Sequence, residues 1–271
     1  MSHLTIDDLK KDAELRRVGC ELLWQLADDD LIIGFRDQEW LGLAPHIEED
    51  VAFGSIAQEE IGHAAHYYGL LEQLGAGRAD DCASLRTAAE RRNSVLLEQP
   101  NGPGHYLESP HYDWAFTIVR HYIHDCWEMT LLSRLQEGSW VELRNASNKI
   151  LAEKRYHRAH QELWMRTMAG ADPASRERLH AGVSAVEHWM GDLADFGDVQ
   201  QALDTSAIVP RAGNLLDQFY SEVTALLGKF GLTLKIEGAA LNGRLGQHTA
   251  ALDTALATLS EVYRLDPNAQ W

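Results

Sequence analysis

Apolar residues along "AELRRVGCELLWQLADDDLIIGFRDQEWLG" recur at steps of three and four, and the two-residue alternation of β-strands is hard to find anywhere in the chain. The pattern predicts an all-α protein. A first long helix is expected from about residue 5 to about 37, ending near "LGLAP", where Gly42 and Pro45 break the periodicity. A second follows Pro45 and runs to Gly75. The next forty or so residues, "GAGRADDCASLRTAAERRNSVLLEQPNGPGHYLESPHYDW", are rich in Gly, Pro and polar residues and predict a long connection with one short helical piece.

Helical periodicity resumes in "DWAFTIVRHYIHDCWEMTLLSRLQEG" and "WVELRNASNKILAEKRYHRAHQELWMRTMAG", with only a turn around Gly138 between them, so these two are expected to be antiparallel neighbours. The order is helix pair, long crossover, helix pair. That is the order of a ferritin-like four-helix bundle. Three additional C-terminal helices, in "PASRERLHAGVSAVEHWMGDLAD", "AGNLLDQFYSEVTALLGKFG" and "GQHTAALDTALATLSEVYRL", are expected outside that core. No repeat or linker marks a second domain, so residues 1–271 are expected to form a single ferritin-like domain.

Composition narrows the function classes. Lys and Arg total 24 against 41 Asp and Glu, a formal net charge of -17, which disfavours nucleic acid or an anionic membrane as the main partner. Cys20, Cys82 and Cys126 match no zinc or disulfide spacing. The N-terminal "MSHLTIDDLKKDAELRR" is charged where a signal peptide needs an apolar core, and no run approaches a membrane span. A cytoplasmic, uncleaved protein is expected.

Candidate chemistry starts at "AQEEIGHAAHYYG", whose Glu60 and His63 form a Glu-x-x-His on the second helix. A di-metal carboxylate centre in such a bundle takes one carboxylate from each of two helices and a Glu-x-x-His from each of the other two. Two further Glu-x-x-His pairs, Glu108/His111 and Glu177/His180, fall in the long connection and in an outer helix, where such a site has no use for them. Asp30, before an apolar run, and Asp125, among Ile123, Cys126 and Trp127, stand where the single carboxylates belong. The competing reading of Asp30 is a solvated acidic turn over Asp28 to Asp30. On the fourth helix, "LAEKRYHRAHQ" has His157, but Lys154 stands three residues before it where Glu is wanted, and the nearest carboxylate is Glu153. The expected metal set is therefore Asp30, Glu60, His63, Asp125, Glu153 and His157, a partial or remnant site with Lys154 in a ligand position. An ammonium there supplies the charge of an ion and competes with one. The expectation is no resident cofactor, with iron as the metal such a set would admit.

The stretches "LLEQPNG", "DWAFTIVRHYIHDCWEMTLLSRLQE", "LAEKRYHRAHQELWMRTMAG" and "LGQHTAALDTALATLSEVYRLDPNAQW" resemble the C subunits of ring 1,2-phenylacetyl-CoA epoxidase, from about residue 20 to the C-terminus. The resemblance implies a ferritin-like, non-catalytic component of a multicomponent bacterial oxygenase. Its partners would be a homologous catalytic di-iron protein, a small linking protein and a reductase, with a homodimer admitted in isolation. It also implies that the ligand positions of the catalytic homologue fall here at Asp30, Glu60, His63, Asp125, Lys154 and His157.

The remaining candidates have plainer readings. His66, His121, His124 and His160 read as core or surface histidines, and Trp114, Trp127, Trp140, Trp164 and Trp189 as packing. Arg86, Arg91 and Arg92 form a small basic group that reads as solvated loop, with a coenzyme A phosphate as the sharper alternative.

Overall fold

The computed structural model describes residues 3–235, 238 and 240–269. Gln270 and Trp271, part of the family likeness, lie outside the described residues. The described chain is all-α, with helices α1 (Ile6–Lys11), α2 (Ala13–Gln38), α3 (Ile47–Gln73), α4 (Ala79–Ser84), α5 (Val95–Glu98), α6 (Trp114–Leu135), α7 (Val141–Gly170), α8 (Pro173–Trp189), α9 (Gln200–Thr205), α10 (Leu215–Gly228) and α11 (Ala250–Leu265). No described helix is long and apolar enough to cross a membrane.

Two boundaries differ from the sequence pattern. The first expected helix is broken at Asp12, whose backbone is extended at φ -115° and ψ 113°. Its carboxylate accepts from the amides of Glu14 at 2.9 Å and Leu15 at 3.0 Å, capping α2 and thereby ending α1. The long connection holds two helical pieces, α4 and α5, rather than one.

The chain divides into two compact units: the described parts of Met1–Val18 with Asn101–Ala240, and of Gly19–Pro100 with Leu241–Trp271. In the first, α6 starts at Asp113, which caps the amides of Ala115 at 2.8 Å and Phe116 at 3.1 Å, and it is buried over most of its length. α7 packs along it, with Leu143, Ser147, Ile150, Leu151, Lys154, His157, Gln161, Met165 and Met168 buried at helical spacing. Two titratable residues thus lie in a core stripe. α8 approaches α6 closely at Gly182, where a Cβ would stand 3.1 Å from the backbone of Ala115.

In the second unit α2 and α3 approach at Gly34. A Cβ there would lie 2.9 Å from Ile61 Cγ1 and 3.1 Å from Glu60 Cβ, so glycine lets the Glu60 turn of α3 sit against α2. The segment before α11 threads past the connection. A Cβ on Gly243 would run into the Asn93 carbonyl, and Gly246 has the positive φ of 75° that suits glycine.

Candidate functional site

On α6, His121, His124, Asp125 and Glu128 recur at i, i+3, i+4 and i+7, which puts all four on one face. All are buried, as are Lys154 and His157 of α7. His121 Nε2 lies 3.5 Å from Asp125 Oδ1, and His124 Nε2 lies 3.2 Å from Glu128 Oε2. The Lys154 ammonium stands 3.6 Å from Asp125 Oδ1 and in direct contact with the Glu128 carboxylate. The rings of His121 and His157 meet edge to face, 6.0 Å apart. Two carboxylates, three imidazoles and one ammonium are therefore buried together within a single unit.

In the other unit, carboxylate oxygens of Asp30 and Glu60 lie within 4.8 Å of each other. His63 Nδ1 is 3.6 Å from Glu60 Oε2, and all three residues are buried. The Glu-x-x-His of α3 is thus held inside rather than on the surface.

The structure sorts the expected residues. Asp30, Glu60 and His63 come together in one unit, and Asp125 and His157 in the other. Glu153 does not join them. Its side chain is 28% exposed and lies 3.9 Å from the Lys149 ammonium, while Lys154, fully buried, turns inward in its place. A helix step of about 100° separates consecutive residues, so both could not face the core. Sequence reasoning sets His121 and His124 aside as core or surface histidines and misses Glu128. Their signal is present: four titratable residues at i, i+3, i+4 and i+7 in a helix that also carries Ile118, Val119, Ile123, Trp127, Leu131 and Leu132.

The acidic turn is also not solvated. Asp28, Asp29 and Asp30 are 0%, 4% and 0% exposed, each aimed in a different direction by its helix step. Asp28 Oδ1 accepts from Tyr68 Oη at 2.6 Å, Arg86 at 2.8 Å and Arg91 at 3.0 Å, and Oδ2 accepts from the Arg92 amide at 2.8 Å. Burial alone pushes this carboxyl upward, but Arg86, Arg91, Tyr68 and the Arg92 amide together hold it below its ordinary range. Burial, reinforced by the Asp28 charge, holds the Tyr68 hydroxyl well above its ordinary value. Asp29 takes a two-pronged bond from Arg244, 2.8 Å on each oxygen, and a third from the Ser94 amide at 2.8 Å. Arg86 and Arg91 are thus engaged inside the protein, which removes the coenzyme A phosphate reading for them. Arg92 lies 3.5 Å from Glu21 and contributes its amide to the same knot.

A di-metal centre requires four carboxylates around its two ions. The α6 and α7 residues do not fit that demand: the carboxylate of the fourth helix is replaced by Lys154, and its ammonium already neutralises Glu128 and approaches Asp125. Three donors remain grouped on this side, since ligand atoms of His121, Asp125 and His157 lie within 4.8 Å of one another. Cys126 adds none. Burial, followed by the charge of Asp125, raises its thiol far above the thiolate range.

Comparison with known proteins agrees with the likeness read in the sequence. The C subunit of 1,2-phenylacetyl-CoA epoxidase from Escherichia coli (strain K12) is 28% identical over 249 residues, covering 91% of this chain and 96% of that protein. The profile of one family, described as Phenylacetic acid catabolic protein, matches residues 3–271, so it takes in α6 and α7 as well as α2 and α3. With that span the chain belongs to the phenylacetic acid catabolic protein family.

Proposed function

We propose that this chain is a structural, non-catalytic component of a cytoplasmic multicomponent oxygenase that epoxidises phenylacetyl-CoA, and that it docks the catalytic di-iron protein. The observation that carries the reading is Lys154. A buried ammonium between Asp125 and Glu128 supplies the positive charge those carboxylates need, so the fold stays neutralised without an ion. Family membership supports the pathway, and the resemblance to C subunits supports the division of labour. In this reading the residues of α6 and α7 hold the bundle in the shape of its catalytic relatives, and the chemistry is done elsewhere in the complex.

The test is co-expression with the catalytic and linking proteins, followed by size-exclusion chromatography and elemental analysis of this chain. A stable complex with metal only in the catalytic component is expected. A chain that elutes alone, or one that carries stoichiometric iron, sinks the proposal. The second outcome would favour a metal-binding oxidoreductase component, the reading that the grouped donors of His121, Asp125 and His157 support.

A further inference from the structure

Between α2 and α3 the chain turns a corner with four large aliphatic side chains in water: Leu41 is 70% exposed, Leu43 36%, Ile47 72% and Val51 66%. Scattered singly, such residues need no explanation. These are joined. Ile47, Val51 and Gly54 share a face of α3 at steps of four and three, and Leu41 Cδ1 lies 3.8 Å from the place of a Cβ on Gly54, so Leu41 rests over that face beside them. A contiguous exposed apolar patch marks a contact surface.

The corner is also held in shape. Trp40 is buried, and its carbonyl accepts from the amides of Leu43 at 2.7 Å and Ala44 at 3.1 Å. Gly42 takes a positive φ of 80° and donates its amide to Asp50 Oδ1 at 2.5 Å, which ties the turn to the start of α3. Little backbone freedom is left to lose on binding.

Charge narrows what the patch can meet. α3 carries no lysine or arginine, and its first turn holds Glu48, Glu49 and Asp50. Glu48 is exposed and enters no ion pair among the described residues, and the Asp50 carboxylate bonds a neutral amide, so both keep their charge. Glu39 is balanced by Arg36 at 2.8 Å and takes no part. A second copy of the corner would bring acid to acid, and an anionic lipid surface would be repelled in the same way. An apolar protein surface with a basic rim answers both features.

We propose that this corner is an anchor by which the chain docks the catalytic protein, with Leu41, Ile47 and Val51 entering an apolar pocket on that partner and lysine or arginine side chains at its rim meeting Glu48 and Asp50. The docking role is the one proposed above; the corner adds its place on the chain and the chemistry of the surface that receives it. Three or four side chains cover only part of the roughly 1,200 Å² of a standard interface, so the corner is the energetic centre of a larger contact.

The test is the affinity of this chain for the catalytic and linking proteins, measured by biolayer interferometry at low and high salt. Ile47→Glu and Val51→Glu, at positions already in water, should each weaken the complex about tenfold or more with an unchanged circular-dichroism spectrum and urea midpoint. Glu48→Lys should weaken it several-fold and reduce its sensitivity to salt. A complex that forms and that neither glutamate variant disturbs overturns the surface and leaves the docking role standing, whereas no complex with the unsubstituted chain overturns both. Affinity unchanged by salt and by Glu48→Lys overturns the basic rim. Sedimentation velocity of the chain alone supplies the last arm: a dimer that the glutamate variants abolish makes a second copy the occupant and overturns the proposal.

Discussion

Two of the regions in which the protein buries acidic groups neutralise them in opposite ways. Around Asp28, Asp29 and Glu98, each carboxylate is met by donors from distant parts of the chain. Arg86, Arg91 and Arg244 supply fixed forks, and Glu98 accepts from His248 Nδ1 at 2.6 Å, the Thr249 amide at 2.6 Å and Asn93 Nδ2 at 3.0 Å. Between α6 and α7, Asp125 and Glu128 share the ammonium of Lys154 with imidazoles around them. A guanidinium presents several donors in a rigid plane, whereas an ammonium is a point charge on a flexible stem. The first arrangement rivets segments together. The second balances two carboxylates with a single point charge.

The strongest way to break this contrast is Asp28→Ala. It leaves Arg91 buried without its carboxylate and releases the connection between α4 and α5 from α2, so a loss of about 3–5 kcal/mol is expected in urea denaturation at neutral pH. A loss below about 1 kcal/mol would mean that the guanidiniums do not rivet the fold. Next comes Lys154→Met, similar in length but uncharged. Asp125 and Glu128 are then left without their cation, and a loss of about 3 kcal/mol is expected. Added Mn²⁺ or Fe²⁺ should recover much of that in a thermal scan, while leaving the unsubstituted protein unmoved. If metal recovers nothing, the α6 and α7 cluster is as purely structural as the arginine network.

Gly34→Ala tests the geometry that positions Glu60. Its new methyl would stand 2.9 Å from Ile61 Cγ1 and 3.1 Å from the Ala57 carbonyl oxygen, so α3 must shift. A loss of about 1–3 kcal/mol is expected by chemical denaturation. A neutral outcome would show that the approach of α2 and α3 tolerates a side chain there.

How much of this is legible in the sequence depends on what each residue contacts. Helix content, the α6–α7 turn and the long connection follow from periodicity and from Gly and Pro, which act locally. The break at Asp12 is hidden because an N-cap inside a continuous apolar pattern looks like any other aspartate. The division into two units has one boundary within α2, where no change of composition marks it. Of the candidate residues, spacing picks out Glu60, His63 and His157, and apolar neighbours pick out Asp30 and Asp125; each is buried. Glu128 escapes a search for Glu-x-x-His alone, although its i+3 relation to Asp125 is in plain view. Chemical type favours Glu153 over Lys154, and helix phase decides otherwise. Nothing local announces that Arg244 reaches Asp29, since that contact spans 215 residues.

The smallest expected effect separates hydrogen bonding from charge within the arginine network. Tyr68→Phe removes the hydroxyl that donates to Asp28 at 2.6 Å and accepts from Arg91 at 3.0 Å, but it leaves both charges in place. A loss of about 1 kcal/mol is expected at neutral pH. The pH dependence carries the sign. Asp28 is depressed in the folded state, so its contribution is present above the ordinary value of 3.8 and is lost as pH falls below it toward the folded value. Tyr68 is raised, so its contribution is present below 10.0 and is lost as pH rises beyond it. The phenylalanine variant should therefore lose Tyr68's share of the alkaline decline and keep most of the acid one, measured as the urea midpoint across pH. Asp28→Asn should do the reverse at the acid end, because the arginines then face an amide. If both variants flatten the same limb, the hydroxyl and the guanidiniums act as one unit, and the balance of charge in this region resembles that around Lys154 more than the distances imply.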